Sequence, residues 1–326
     1  MAEITLVEAV TLALARAMAE DDTVIVLGED VGVDGGVFRA TDGLLKRFGA
    51  DRVFDTPLSE GVIAGVSVGL SAQGFRPVPE IQFMGFIFPA MDQIFSHAAR
   101  MRNRTRGRLS CPLVLRAPYG GGIHAPEHHS ESTEALFAHI PGLRVVIPSS
   151  PSRAYGLLLA AIRDPDPVVF LEPKRIYRAV REEVADDGEA LPLDTCFQLR
   201  QGSDITLITW GAMIVETMAA AAKLGEEGIE ADVIDLATLG PVDMETILES
   251  VEKTGHVVIV HEAARTGGFG AEIAARIGEH GLLSLEAPVL RVTGYDTVMP
   301  MFRLEDHYMP GAGRIVDAAR QSLAFG

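Results

Sequence analysis

The chain has 326 residues, of which 48% are hydrophobic and 22% are charged. At about 100–200 residues per domain, this length predicts two domains, and the balanced composition excludes a disordered, collagen-like or coiled-coil protein. The 28 Lys and Arg residues against 45 Asp and Glu residues give a net charge of −17. Because such a charge repels nucleic acid backbones and anionic membrane surfaces, we expect neither nucleic acid nor a membrane as a partner.

Cysteine content and apolar runs point to a reducing compartment. The two cysteines, Cys111 and Cys196, are too few for a disulfide framework or a cysteine-based zinc site. The first residues show no basic segment before an apolar stretch, and no apolar run approaches the about 20 residues that a membrane span needs. The predicted location is the cytoplasm.

Helical and strand patterns alternate through the first half of the chain. Thr5 and Glu8 have the spacing of a capping box, and apolar residues then recur at helical spacing. Short β-branched runs of the kind buried in parallel sheets follow. We predict strands at 24–27, 77–82, 113–116, 145–147 and 168–171. We predict further helices around 61–72, 89–101, 132–139 and 153–163.

A stretch rich in charge, Pro and Gly interrupts this alternation at 178–202. We therefore predict a first domain at 1–185, a linker at 186–202 and a second domain at 203–326. In the second domain we predict strands at 205–210, 230–236, 256–261 and 288–293. Helices are predicted there at 214–224, 244–254, 270–279 and 313–324. The alternation predicts an α/β fold in both domains.

Glu60 stands at the start of a predicted helix rich in Gly, Ala and Val, directly after a Thr56-Pro57 break in DTPLSEGVIAGVSVG. One interpretation is that its carboxylate only complements the positive end of the helix dipole. The other is a partly buried acid that hydrogen-bonds a ring nitrogen of a ligand, since burial lets a carboxyl group exchange protons nearer neutrality. Spacing alone leaves both open.

A glycine- and histidine-rich segment, PYGGGIHAPEHHSES at 118–132, predicts a flexible active-site loop. His124, His128 and His129 are its titratable side chains. They suit general acid-base work or the orientation of an anion, and surface histidines remain an alternative. A metal site is disfavoured because the HExxH spacing is absent.

Two further segments have sequence patterns that are known from cofactor-binding sites. Phe83, Phe86 and Phe88 follow the predicted strand at 77–82, where open parallel sheets bind ligands, although such residues are also typical of a core. The segment 267–273, GGFGAEI, resembles a dinucleotide fingerprint but lacks its third glycine. A nicotinamide-dependent dehydrogenase therefore has weak support.

Six motifs together carry a family resemblance that covers essentially the whole chain. They are LGEDVGVDGGVFRAT (27–41), DTPLSEGVIAG (55–65), PEIQFMGFIFPAMDQI (79–94), HHSES (128–132), DPDPVVFLEPKRIYR (164–178) and VEKTGHVVIVHEA (251–263). In these the chain resembles the beta subunit of the thiamine-diphosphate-dependent decarboxylase component of 2-oxo acid dehydrogenase complexes. The resemblance implies a transketolase-like fold of two doubly wound α/β domains, a pyrimidine-binding domain and a transketolase C-terminal-type domain.

The resemblance also implies roles for single residues. Glu60, in PLSEG, would hydrogen-bond the aminopyrimidine ring of the cofactor, and Phe86 would pack against that ring. Glu29, in LGEDV, would belong to an acidic path between paired active sites. His129 would face the substrate and the incoming lipoyl group. Many relatives have Gln where this chain has Glu131. The sequence leaves open whether this acidic residue changes the pKa of His129 or the local contacts to the substrate.

The same resemblance implies metal ions bound by this family. Some members of the family bind potassium, and the matching positions are Leu113, Ala161, Ile162, Asp164 and Asp166. Magnesium and the diphosphate are generally held by a GDG motif with an asparagine 25–30 residues later in such enzymes. This chain has no GDG motif and only one asparagine, Asn103. The resemblance therefore implies an alpha subunit, in an α2β2 tetramer, that supplies the magnesium ligands, and a chain that is inactive alone.

The implied function is oxidative decarboxylation of a small 2-oxo acid, with transfer of the acyl group to a lipoyl domain of a partner acyltransferase. The phrases MGFIFPAMD and GIHAPEHHS favour pyruvate as the substrate. Branched-chain 2-oxo acids such as 2-oxoisovalerate remain an alternative, and acetoin is a more distant one. A non-catalytic scaffold subunit also remains open, because the magnesium motif is absent.

Overall fold

The computed structural model describes residues 2–325, which form two compact units. The first unit contains residues up to 119 together with 136–193, and the second contains 120–135 together with 194 onward. The segment predicted as a linker is shared between them, since the units divide between Leu193 and Asp194. The histidine-rich loop belongs to the second unit although it lies within the first half of the sequence.

Parallel strands build the sheet of the first unit. Its strands are β1 (Ala2–Thr5), β2 (Val24–Gly28), β3 (Val53–Asp55), β4 (Arg76–Glu80), β5 (Val114–Tyr119), β6 (Arg144–Val146), β7 (Val168–Pro173) and β8 (Arg181–Val184). Strands β6-β7-β5-β4-β2-β3 lie side by side in that order and run parallel. Strands β1 and β8 form a separate antiparallel pair. Every residue of β2, β5 and β7 is buried, so these strands are mostly apolar, and the charged residues Arg116 of β5 and Glu172 of β7 are buried with them.

Helices cover this sheet, and the three longest lie where apolar periodicity predicts them, whereas the short helix at 44–48 is not predicted. They are α1 (Leu6–Glu20), α2 (Leu44–Phe48), α3 (Glu60–Ala72), α4 (Met101–Arg104), α5 (Glu134–Ala138), which spans the division between the units, and α6 (Pro151–Arg163). The capping box at the start of α1 is confirmed, because the Thr5 hydroxyl accepts from the Glu8 N–H while the Glu8 carboxylate accepts from the Thr5 N–H. Ser150 is the N-cap of α6, and its hydroxyl accepts a hydrogen bond from the Arg153 N–H. Pro151 lies in the first turn of this helix.

One predicted helix has a different form. In place of a regular α-helix at 89–101, the structure has short 3₁₀ turns followed by a π-helix at Asp92–Ala98. The Ala99 N–H donates to the Ile94 carbonyl, five residues back, at 3.0 Å. Turns of this kind are frequent at functional sites, and this one follows shortly after Phe83, Phe86 and Phe88.

The second unit repeats the α/β plan. Its strands are β9 (Phe197–Arg200), β10 (Ile205–Thr209), β11 (Ala231–Asp235), β12 (Thr238–Gly240), β13 (Val257–His261) and β14 (Leu290–Thr293). Its helices are α7 (Ile214–Glu226), α8 (Met244–Thr254), α9 (Gly270–His280), α10 (Phe302–Tyr308) and α11 (Ala312–Leu323). The sheet order is β14-β13-β10-β11-β9, and β9 is the antiparallel edge strand. Of the helices in residues 2–325, none is both long enough and apolar enough to span a membrane.

A buried ion cluster crosses three neighbouring strands of the first unit. Arg116 of β5 donates to Glu172 of β7 at 2.6 and 3.1 Å and to Glu80 of β4 at 2.9 Å, and all three side chains are buried. The Tyr177 hydroxyl also donates to Glu172. Burial by itself lowers the pKa of the Arg116 guanidinium, but the charges of Glu172 and Glu80 raise it above its usual range. Arg116 therefore stays charged in the interior.

We expect Arg116→Met to lower the free energy of unfolding by about 3–5 kcal/mol, because it leaves two carboxylates buried without a cation. Urea denaturation of the purified protein, followed by circular dichroism, measures this loss. The control is Arg108→Met at an exposed position of the same unit. If both variants lose less than about 1 kcal/mol, the cluster does not stabilise the fold as described.

Candidate functional site

Glu29, Glu60 and Phe86 come together at one edge of the first sheet. Glu29 directly follows β2, Glu60 is the first residue of α3 after β3, and Phe86 lies in the connection that leaves β4. These strands are adjacent and parallel, so their carboxyl ends face the same edge. Ligands of open α/β sheets bind at that edge.

Asp55 ties the Glu29 loop to the segment that carries Glu60. Its carboxylate accepts hydrogen bonds from the N–H groups of Gly32 at 2.6 Å and Val33 at 3.2 Å. The Thr56 N–H donates to the Gly28 carbonyl at 2.9 Å and extends the pairing of β2 and β3. Sequence reasoning missed Asp55, because its partners are backbone groups 22 and 23 residues away.

Glu29 and Glu60 are both half-buried and act on each other electrostatically. Burial raises the pKa of Glu29, and the negative charges of Glu60 and Asp30 raise it further. Glu29 is therefore harder to ionise at the start of α3 than a carboxyl group in water.

Phe86 belongs to a chain of aromatic contacts in the first unit. It is half-buried and meets Phe83 edge-to-face, with ring centroids 5.9 Å apart. Phe83 contacts Phe38 at 5.3 Å, and Phe38 contacts the buried Tyr177 at 5.2 Å. Edge-to-face pairs of this kind fix ring orientation, so Phe86 has a defined position at the edge of the sheet.

Two close contacts connect the Phe86 segment to the carboxylate residues. The Gln82 amide donates to Asp30, next to Glu29, at 3.1 Å. A Cβ on Gly61 would lie 3.2 Å from the Pro89 carbonyl, so the first turn of α3 packs directly on this segment. The segments that carry the three predicted residues of the first unit therefore pack together at one edge of the sheet.

An exposed apolar stripe begins just before α3 and continues along its first turns, beside Glu60. Leu58, Val62 and Val66 recur at four-residue spacing, and 74%, 51% and 45% of their surfaces are exposed. Apolar side chains in such a stripe mark a surface that binds another molecule more often than a surface that faces water. The stripe begins two residues before Glu60.

The residues predicted to hold potassium lie at the other edge of the same sheet. Leu113 precedes β5, and Asp164 and Asp166 follow α6 and precede β7. Arg144 donates to the Asp164 carboxylate at 3.0 Å, and Arg102 donates to Asp166 at 2.7 Å.

Backbone carbonyls of this set also have protein donors. Arg76 donates to the carbonyls of Ile162 at 2.8 Å and Asp164 at 3.0 Å, and the Asp164 N–H donates to Ala161. With guanidinium groups on its oxygen atoms, this set does not fit an additional cation in the described conformation. The potassium site thus stays a prediction from the resemblance.

The second unit holds the histidine-rich loop by its backbone. The buried Glu305 carboxylate of α10 accepts from the N–H groups of Gly122 at 2.7 Å, Ile123 at 3.2 Å and His124 at 2.9 Å. A Cβ on Gly121 would lie only 2.2 Å from the Met299 methyl group. Close packing therefore explains Gly121. The sequence alone predicts this glycine as part of a flexible loop.

His129 lies at the end of a 3₁₀ turn, Glu127–His129, in this loop. It is half-buried, and its ring centroid is 4.4 Å from that of His128. Burial and the charge of Glu127 raise the pKa of Glu131, the acidic residue that departs from the family pattern.

A buried polar cluster lies behind the loop. The Trp210 indole N–H donates to Glu134 at 3.3 Å, and burial raises the pKa of Glu134 to about 7. The Trp210 ring stacks on His261, whose pKa burial lowers to about 4. A Cβ on Gly268 or on Gly270 would lie 2.7 Å from the His261 ring, so close packing explains two glycines of the segment that resembles a dinucleotide fingerprint.

Comparison with known proteins covers nearly the whole chain. The family "Transketolase, pyrimidine binding domain" matches residues 2–180, and "Transketolase, C-terminal domain" matches residues 195–315. The pyruvate dehydrogenase E1 component subunit beta of Bacillus subtilis (strain 168) is 49% identical over 325 residues and 100% of both chains. The subunit of that name from Acholeplasma laidlawii is 49% identical over 98% of both chains.

A solved structure described as "Split gene transketolase, inactive beta4 tetramer" is similar with a TM-score of 0.81 at 26% identity and covers 99% of both chains. The resemblance and the transketolase-like fold class predicted from the sequence are thereby confirmed.

We expect Glu134→Gln to stabilise the protein more at pH 8 than at pH 4.5. The wild-type carboxyl group stays protonated in the fold up to about pH 7, whereas in the unfolded chain it ionises near 4.5, so its contribution to stability falls as pH rises between these values. The gain of the variant over the wild type should grow across this window by on the order of 3 kcal/mol. Urea denaturation at both pH values measures it.

The matched control is Glu226→Gln, at an exposed position of the same unit. Its stability relative to the wild type should be the same at both pH values. A Glu134→Gln difference that does not change with pH would show that Glu134 is ionised in the fold at neutral pH.

Proposed function

Because the chain belongs to the transketolase-like family of thiamine-diphosphate-dependent 2-oxo acid dehydrogenase beta subunits, we propose that it acts with an alpha subunit to decarboxylate pyruvate. The acyl group would then pass to the lipoyl domain of a partner acyltransferase, with reduction of the lipoyl disulfide. The observation that carries this proposal is the convergence of Glu29, Glu60 and the Phe86 segment at one edge of the first sheet.

These residues fit the pyrimidine half of thiamine diphosphate. An aminopyrimidine ring needs a carboxyl group for a ring nitrogen and an apolar surface for its face, and Glu60 and Phe86 supply them. When bound, the cofactor supplies the nucleophilic carbon and the electron sink that decarboxylation requires. Glu60 would hold and exchange a proton at the ring nitrogen, and Phe86 would exclude water from the ring.

Glu29 supports the proton exchange through its position beside Glu60. Burial and the charge of Glu60 raise the pKa of Glu29, so Glu29 would hold a proton more readily beside that carboxylate. Asp55 keeps the two segments at a fixed separation, so this coupling does not depend on a mobile loop. His129, in the second unit, would orient the lipoyl group during acyl transfer.

Support for the alpha subunit comes from the sequence motifs. This chain has no GDG motif, with which such enzymes generally hold magnesium and the diphosphate. The magnesium ligands would therefore come from the alpha subunit, in an α2β2 tetramer. The exposed Leu58, Val62 and Val66 stripe offers that subunit an apolar surface beside Glu60.

Pyruvate is proposed because the relatives named above are pyruvate dehydrogenase subunits. The proposed location is the cytoplasm, and the two buried free cysteines are compatible with its reducing conditions.

The function is tested with the chain alone and with the alpha-type subunit co-expressed, in the presence of thiamine diphosphate and magnesium. We expect release of carbon dioxide from pyruvate by the pair only, because half of the cofactor site is missing from this chain. A pair that prefers 3-methyl-2-oxobutanoate would be a branched-chain enzyme. Activity of the chain alone would contradict the divided site.

We expect Glu60→Gln to lower pyruvate decarboxylation by the pair by about 10²–10⁴-fold, because the amide cannot exchange the proton. The control is Glu189→Gln, which removes the same charge at an exposed position of the first unit. Steady-state assays with an artificial electron acceptor measure the rate. Full activity of Glu60→Gln would support a non-catalytic scaffold subunit.

A further inference from the structure

Glu305 is a buried carboxylate whose hydrogen bonds go to the backbone of the histidine-rich loop. Only 1% of its side chain is exposed, and its two oxygen atoms accept from three successive N–H groups, those of Gly122, Ile123 and His124. A carboxylate in such a ring of N–H groups makes charge-assisted bonds, which are roughly twice as strong as neutral ones. Glu305 therefore anchors the first half of the loop.

The loop backbone needs this anchor because it is strained. Gly122 has φ +79° and His124 has φ +58°, both in the left-handed region. For a residue with a side chain this conformation is costly and persists only where surrounding contacts enforce it. The His124 ring also stacks on Phe302 of the same helix, with centroids 6.0 Å apart.

The second half of the loop has its own anchors in the same unit. The Ser132 hydroxyl donates to Glu262 at 2.9 Å, and the Gly120 N–H donates to the Glu131 carbonyl at 2.8 Å. Between the two anchored ends the chain makes the turn in which the His129 N–H donates to Pro126 at 2.9 Å. The position of His129 is thus determined by contacts at both ends of the loop.

We propose that Glu305 is a positioning residue for His129 in acyl transfer. This proposal rests on the function proposed above, in which His129 orients the lipoyl group. Glu305 does not touch the reacting groups itself. It holds residues 122–124 in the one conformation from which the His129 turn projects correctly. A misplacement of about 1 Å in such a group can cost a hundredfold in rate.

The test uses Glu305→Gln in the assembled complex with the alpha subunit and a lipoyl domain. A glutamine has one acceptor oxygen and brings an NH₂ group against the loop N–H groups, so it cannot satisfy all three donors. We expect acylation of the lipoyl domain to fall about 10- to 100-fold, while decarboxylation with an artificial acceptor changes less than threefold. Hydrogen exchange of the peptide covering 120–132 should become faster.

The matched control is Asp306→Asn, which removes a charge from the next, exposed residue of α10. It should change neither rate nor hydrogen exchange. If Glu305→Gln fails to assemble, Glu305→Asp gives the same comparison, since it keeps the charge but shortens the reach by one methylene.

A double substitution separates positioning from general stability. If Glu305 acts through His129, adding Glu305→Gln to His129→Ala should lower lipoyl acylation no further. Independent, multiplicative losses would overturn the proposal, and so would equal losses in both assays. Faster exchange without loss of acylation would also overturn it, while leaving the function intact. A wild-type complex that acts on no 2-oxo acid would instead contradict the proposed function.

Discussion

A guanidinium group buried between two carboxylates determines the ligand-facing edge of the first unit. Arg116 holds Glu80 and Glu172 at the ends of neighbouring strands, and removing any member would leave an uncompensated charge in the interior. Tyr177 joins the cluster through its hydroxyl and contacts Phe38 with its ring, from which aromatic contacts lead through Phe83 to Phe86. The orientation of an apolar ring at the surface therefore depends on an ion cluster in the core.

The same cluster explains why small residues surround it. A Cβ on Gly28 would lie 2.7 Å from the Glu80 carbonyl, and one on Gly36 would lie 3.0 Å from the Glu80 carboxylate. Only a residue without a side chain lets the loop after β2 pass so close to β4. The glycines of the first motif thus allow the acidic loop to pack on the ion cluster, which places Glu29 near Glu60.

The sequence predicts the parts of the fold that depend on local pattern. Apolar periodicity and the capping box predict α1, and continuous β-branched runs predict β2 and β7, because these elements are buried on a regular face. Strands β1 and β8 escape prediction because they are short, mostly polar, and pair across almost the whole first unit. Motif resemblance predicts Glu60, but nothing local indicates Asp55 or Glu305, whose role is to accept bonds from distant backbone. Contacts of this kind leave no periodicity in the sequence.

The membership of the histidine-rich loop in the second unit has a consequence for the order of folding. The loop is synthesised before the second half of the first unit, yet its anchor Glu305 follows Gly122 by 183 residues. During synthesis, domains generally fold as they emerge, so the first sheet can form around a loop that still lacks its shape. The segment carrying His129 is therefore completed among the last parts of the protein, and this loop has no ordered conformation in an unfinished chain.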